Sequence, residues 1–156
     1  MIFGTVLLLH SLVRWVALIA GVLVLVRAAS SRRRRATYEA SHRTLGSAFV
    51  GALHLNFVLG LLMYAVLSPL PKLAFHNVSA AMSSSVLRFF FIEHPFGMLV
   101  GIAVASIGAR KIRKSEHAAE KHRRTLIYYG AALSIIFVSI PWPFYPAGRP
   151  LLHWPF

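Results

Sequence analysis

Residues 2–35 read IFGTVLLLHSLVRWVALIAGVLVLVRAASSRRRR, and the boundary inside this string decides the fold. Up to Val26 the only ionisable side chains are His10 and Arg14, and from Arg27 onward the string turns basic. A helix of about 20 apolar residues, rising about 1.5 Å per residue, crosses the hydrocarbon core of a bilayer. The stretch 2–26 therefore reads as a spanning helix with positive charge at its far end. A secretory leader instead carries its basic residues ahead of a shorter apolar run. The order here predicts a retained span with the N-terminus outside.

Three further stretches, 45–67, 86–109 and 126–141, read the same way, the last being short until the Pro141-Trp142-Pro143 segment is added. Composition agrees. Of 156 residues, 57% are hydrophobic and only 13% charged, whereas soluble domains run near 25% charged. Arg27, Arg32, Arg33, Arg34, Arg35 and Arg43 lie between the first and second stretches. Arg110, Lys111, Arg113, Lys114, Lys121, Arg123 and Arg124 lie between the third and fourth, so the two loops hold thirteen of the seventeen basic residues. Short loops rich in Lys and Arg stay cytoplasmic. The sequence thus predicts an all-α integral membrane four-helix bundle, with both termini and the 68–85 loop outside.

That topology accounts for a net charge of +13, which in a soluble chain would point to nucleic acid. No aromatic residues are arranged among the basic ones to stack bases, so the expected partner is the lipid bilayer. The absence of Cys excludes a disulfide framework, thiolate zinc, iron–sulfur ligation, c-type haem attachment and a cysteine nucleophile. No Gly-rich phosphate loop, hydrolase elbow or carboxylate pair is present.

Local signals mark the helix ends. Ser83-Ser84-Ser85 offers N-cap hydroxyls to the third span, and Ser68-Pro69-Leu70-Pro71 ends the second. Ala118-Ala119-Glu120-Lys121 continues the fourth helix into the cytoplasm. Trp142, Phe144, Tyr145, Trp154 and Phe156 form an aromatic tail suited to the outer interface. His42, His117 and His122 lie among basic loop residues and read as solvated.

Against this apolar background the informative residues are the ionisable ones at membrane depth, each costing a few kcal/mol. His10 and Arg14 share a face of the first span with Ala17 and Gly21. His54 lies near the middle of the second. Glu93-His94-Pro95 lies in the third, whose face continues through Gly97, Gly101, Ala105 and Gly108, a small-residue stripe that admits another helix or a flat cofactor. Pro95 leaves the Phe91 carbonyl without its helical donor, predicting a kink or widening there.

Counting inward from the outer boundary puts His10 about 10 Å deep, His94 about 12 Å and His54 nearer 20 Å. His10 and His94 are level. Two imidazoles on different helices at one depth can hold an iron between them, with His54 as a further ligand candidate. Arg14 and Arg88 are then available to haem propionates. The same residues also read as packing polar groups: His10 bonded to a neighbouring helix, Arg14 paired with Glu93, His94 capping the kink. A proton path through His10, His54, Glu93 and His94 is a third reading.

Leu9-His10-Ser11-Leu12-Val13-Arg14-Trp15, His54 to Gly60 with Tyr64, Arg88 with Glu93-His94-Pro95, and Tyr128 with Pro141-Trp142-Pro143 together resemble short four-span bacterial membrane proteins of the cytochrome b-like type. The likeness covers most of the chain. It implies a multi-pass protein of a bacterial inner membrane, with His10, His54 and His94 as candidate ligands of haem b. The expectation is a small b-type cytochrome-like subunit carrying one haem near the outer side for electron transfer, working with redox partners or other membrane subunits, and not a stand-alone enzyme. The alternative is a cofactor-free accessory subunit of a larger respiratory or photosynthetic membrane complex. Paired histidines on the second and fourth helices, the mark of a two-haem wire, are missing.

Overall fold

The computed structural model describes residues 2–151, and among these every regular element is helical. Trp154 and Phe156 of the expected aromatic tail lie outside the described residues. Helix α1 spans Ile2–Arg33, about 48 Å at about 1.5 Å per residue, so it overruns the expected 2–26 span by two turns. Helix α2 (Ala40–Leu62) passes into a π-turn at Met63–Leu67. Short helices α3 (Pro69–His76) and α4 (Val78–Ser83) follow. Helix α5 (Ser85–Arg88), a π-turn at Phe89–Glu93 and α6 (His94–Arg113) make one continuous rod. Helix α7 (Ala118–Arg124), a π-turn at Thr125–Tyr129 and α8 (Gly130–Ser139) make another.

Three of these rods, Ile2–Arg33, Ala40–Leu67 and Ser85–Arg113, are long and apolar enough to cross a membrane. The fourth stretch is helical, but Lys121, Arg123 and Arg124 occupy its first turns and the helix stops at Ser139. Its apolar part is shorter than the roughly 20 residues a straight span needs.

The expected outer loop is largely helical, because its turn residues also start helices. Ser68 Oγ accepts from the Leu70 amide, with Pro69 in the first turn, and Asn77 Oδ1 accepts from the Ala80 amide at 3.0 Å. Ser84 supplies the cap expected ahead of the third rod, accepting from the Leu87 amide.

Side chains are distributed inside out relative to a water-soluble bundle. The buried face of α1 is mostly small, with Ser11, Ala17, Ala20, Gly21 and Ala28 beside Leu18 and Val24, while Leu9, Leu12, Val16, Ile19 and Leu23 point outward. Small residues inside and large aliphatics outside suit lipid, where helices associate by close packing. The stripe on α6 works this way: a Cβ at Gly97 would overlap Ser139 Oγ, and one at Gly101 would lie 2.6 Å from Ile136 Cγ1. Helix α8 packs against Gly97 and Gly101, and Tyr128 of the preceding π-turn against Gly108.

At the end carrying most of the basic residues, His42 and His122 are buried at 1% exposure each, contrary to the solvated reading. Their ring centres are 4.9 Å apart, with Tyr38 4.9 Å from His42 and 5.2 Å from His122. The cause is local capping. The Glu39 amide donates to His42 Nδ1 at the start of α2, and the other nitrogen of that ring meets Ser31 Oγ at 2.9 Å. His122 Nε2 donates to the Ala36 carbonyl, which ties α7 to the α1–α2 turn.

Candidate functional site

The π-turn at Phe89–Glu93 adds a residue to one helical turn just before Pro95. This is the widening expected from the proline. The freed Phe91 carbonyl is not left bare, since Tyr64 Oη donates to it at 3.1 Å from the far end of α2. The turn opens space beside His94. A cavity of about 500 Å³ lies there, walled by α1, α2, the second π-turn, α6 and the segment after α8. Cofactor and small-molecule sites run from about 300 to 1,000 Å³.

His10 and His94 face each other across this space, with ring centres 6.5 Å apart and ring planes inclined by 70°. His94 Nδ1 lies 2.7 Å from the Ser139 carbonyl. A carbonyl oxygen only accepts, so Nδ1 carries the proton, and in the neutral ring Nε2 keeps its lone pair. That carbonyl is one of the last four of α8, which have no partner within the helix. His10 differs. Its Nδ1 is buried without a hydrogen-bond partner, beside Gly60, where a Cβ would come within 3.3 Å of the ring.

The other sequence candidates separate. Arg14 lines the cavity; its Nη2 donates to the Leu151 carbonyl, while its Nε is buried without a partner. His54 lies outside. The α2 positions that reach the cavity are Leu53, Asn56, Phe57, Gly60 and Leu61; His54 shares a face with Leu61 but lies two turns further from the His94 end of the cavity. It is exposed, and its Nε2 pairs with Ser106 Oγ at 3.1 Å. Arg88 is also turned away, its Nε on Glu93 at 2.7 Å and its Nη1 on the Met82 carbonyl at 3.1 Å. The expected Arg14–Glu93 pair is therefore replaced by Arg88–Glu93. The cause is the π-turn, whose period near five residues stacks position 93 over position 88.

Arg149, one of the four basic residues outside the two basic loops, lines the same cavity, with its guanidinium carbon 5.1 Å from the centre of the Phe90 ring. No local pattern signals it. It arrives there because the tail folds back: Trp142 Nε1 donates to the Phe137 carbonyl, the Arg149 amide donates to the Pro141 carbonyl, and Arg14 and Trp15 both donate to the Leu151 carbonyl. At the turn of this strap, a Cβ at Gly148 would lie within 2.8 Å of three backbone carbonyls, so only glycine closes it.

Two facing imidazoles suit one kind of metal site. Metal–imidazole bonds of about 2 Å on either side of one ion need ring centres about 6 Å apart, close to the spacing here. Among the described residues no group of three or more His, Cys, Asp or Glu side chains comes together, so a bare ion would be short of donors. A haem would need only two donors from the protein. The 6.5 Å ring spacing and the free Nε2 of His94 fit a haem held by this imidazole pair, while His10 Nδ1 packs against Gly60. Comparison with family models, with curated proteins and with solved structures returns no match.

Proposed function

We propose that this protein is a four-span electron-carrier subunit of a bacterial inner membrane, cytochrome b-like in type, holding one haem b near the outer side between His10 and His94. The observation that carries this reading is the 6.5 Å spacing of the two rings across a cavity with no third ligand side chain. The basic loops support the orientation, both termini and the α3–α4 segment lying outside. The 126–141 segment crosses by using the Pro141–Trp142 region as its outer end.

Haem held by His10 and His94 would supply a one-electron couple. The chain does the rest. Ser139 holds the proton of His94 on Nδ1 and so keeps Nε2 available. Tyr64 holds the widened turn open. Arg14, one turn further along α1 than His10, offers charge to acidic groups in the cavity. Phe57, Leu53 and Ile136 exclude water from the inner end.

The test is a reduced-minus-oxidised absorption spectrum of the purified protein in detergent. A b-type alpha band is expected in wild type and in His54→Ala, and its loss in His10→Ala and His94→Ala. A colourless wild-type protein that co-purifies with other subunits would replace this reading by that of a cofactor-free accessory subunit.

A further inference from the structure

The buried pair His42 and His122, at the end carrying the basic loops, takes no part in the cavity, and its hydrogen bonds say where the protons are. The Glu39 amide donates to His42 Nδ1 at 3.2 Å, so that nitrogen keeps its lone pair, and Nε2, 2.9 Å from Ser31 Oγ, carries the proton. The Ala36 carbonyl takes the Nε2 proton of His122 at 3.2 Å. Its Nδ1 is buried without a partner. This arrangement suits two neutral rings. A charged imidazole has no acceptor nitrogen. On His42 the added proton would point at the Glu39 N–H, and on His122 it would sit buried with nothing to receive it.

The surroundings give a charged ring no help. Arg27 faces the joint from α1 and Arg43 from α2, while Lys121 of α7 lies 5.6 Å from the centre of the Tyr38 ring. Tyr38, Thr125 and Tyr129 complete the lining without charge. The carboxylate nearest His42, that of Glu39, is already on Arg27 at 2.9 Å, and Glu120 on α7 is taken by Arg123 and Arg124. With the ring centres 4.9 Å apart, two charged imidazoles would also repel each other.

We propose that this joint is a pH switch, in which neutral imidazoles lock α7 onto the α1–α2 turn and protonation of the pair releases it. The released form takes up protons that the locked form excludes. The lock is therefore at full strength above the ordinary imidazole value of about 6.5 and weakens as pH falls through it. The segment set free carries Lys121, His122, Arg123 and Arg124, so release and charging act together to present a more basic surface. None of this depends on a group held between His10 and His94.

Hydrogen exchange of the full chain in detergent, followed by mass spectrometry and corrected for the intrinsic rate at each pH, reads the lock directly. In wild type the protection of residues 118–125 should fall about tenfold or more between about pH 7.5 and about pH 5, while residues 99–109 of α6 keep theirs. His42→Gln/His122→Gln should hold its protection across that interval. A glutamine amide accepts from the Glu39 amide as in a capping box, donates to the Ala36 carbonyl, and never charges. His117→Gln, which removes an exposed imidazole just ahead of α7, should respond as wild type does. Thermal unfolding at neutral pH verifies that the variants are folded; if the double variant is not, nitrogen-15 histidine spectra of wild type decide. Rings protonated on Nε2 alone at neutral pH, which charge over the same interval in which protection is lost, support the switch. Rings that charge while 118–125 stays protected overturn it. So do equal protection at both pH values, a loss that α6 shares, or an acid response that survives in the folded double variant.

Discussion

Single residues show how narrow the clearance is beside the imidazole pair. Gly97 meets Ser139, whose carbonyl receives the His94 proton, while Gly51 on α2 has nothing within 4 Å of where a Cβ would stand. Gly97→Ala should therefore push α8 off α6 and cost about 1–3 kcal/mol, the usual range for overpacking. Gly51→Ala should be neutral or stabilising by about 0.5–1 kcal/mol, since it only removes a glycine from a helix. Thermal unfolding in detergent checks both, and the alpha band should weaken only in Gly97→Ala. The level pair His10 and His94 was legible in the sequence because depth follows from counting along a helix. Arg149 was not, because its position depends on a fold-back that no periodicity encodes. His54, counted as nearer 20 Å deep, is not among the residues lining the cavity, in keeping with that difference in depth.

Whole elements carry the next level of meaning, and the π-turns are the clearest case. One extra residue per turn moved Glu93 from an interhelical partner to Arg88 on its own rod, and it gave Tyr64 a carbonyl to hold. Proline announced a kink or a widening near residue 91, and the structure takes the second course with the π-turn at Phe89–Glu93. Helix α7 shows the opposite case, where the pattern is local and the outcome readable: Glu120 receives Arg123 and Arg124 one turn on, at 2.8 and 2.6 Å. These guanidiniums hold its carboxyl down at about 2, from an ordinary 4.5. A depressed carboxylate contributes stability above its unfolded pKa and loses it as pH falls toward the folded one. Glu120→Gln should thus unfold at lower temperature than wild type at pH 7. The gap should close as pH drops from about 4.5 to about 2, as followed by circular dichroism.

At the scale of the molecule, the all-helical class and three of the four membrane-length stretches were written in hydropathy. The fourth was harder, because its first turns are charged and its other end is an irregular strap. Orientation follows from the charge asymmetry and is open to direct measurement, since a chain without cysteine accepts single reporters. Val78→Cys, exposed on α4, should react with a membrane-impermeant maleimide on intact cells, whereas Glu116→Cys in the α6–α7 turn should react only after lysis. The reverse pattern would invert the topology.

The partner of His94 is a main-chain oxygen at the end of α8, and every amino acid owns one. Position 139 can therefore drift in chemical character, within the size that Gly97 tolerates, while the imidazole keeps its tilt. What must persist is the phase of the helix: one residue gained or lost upstream swings that oxygen through about 100° and shifts it by about 1.5 Å. The aim of the ring is thus stored as a length, a quantity that no motif search over residue types can read.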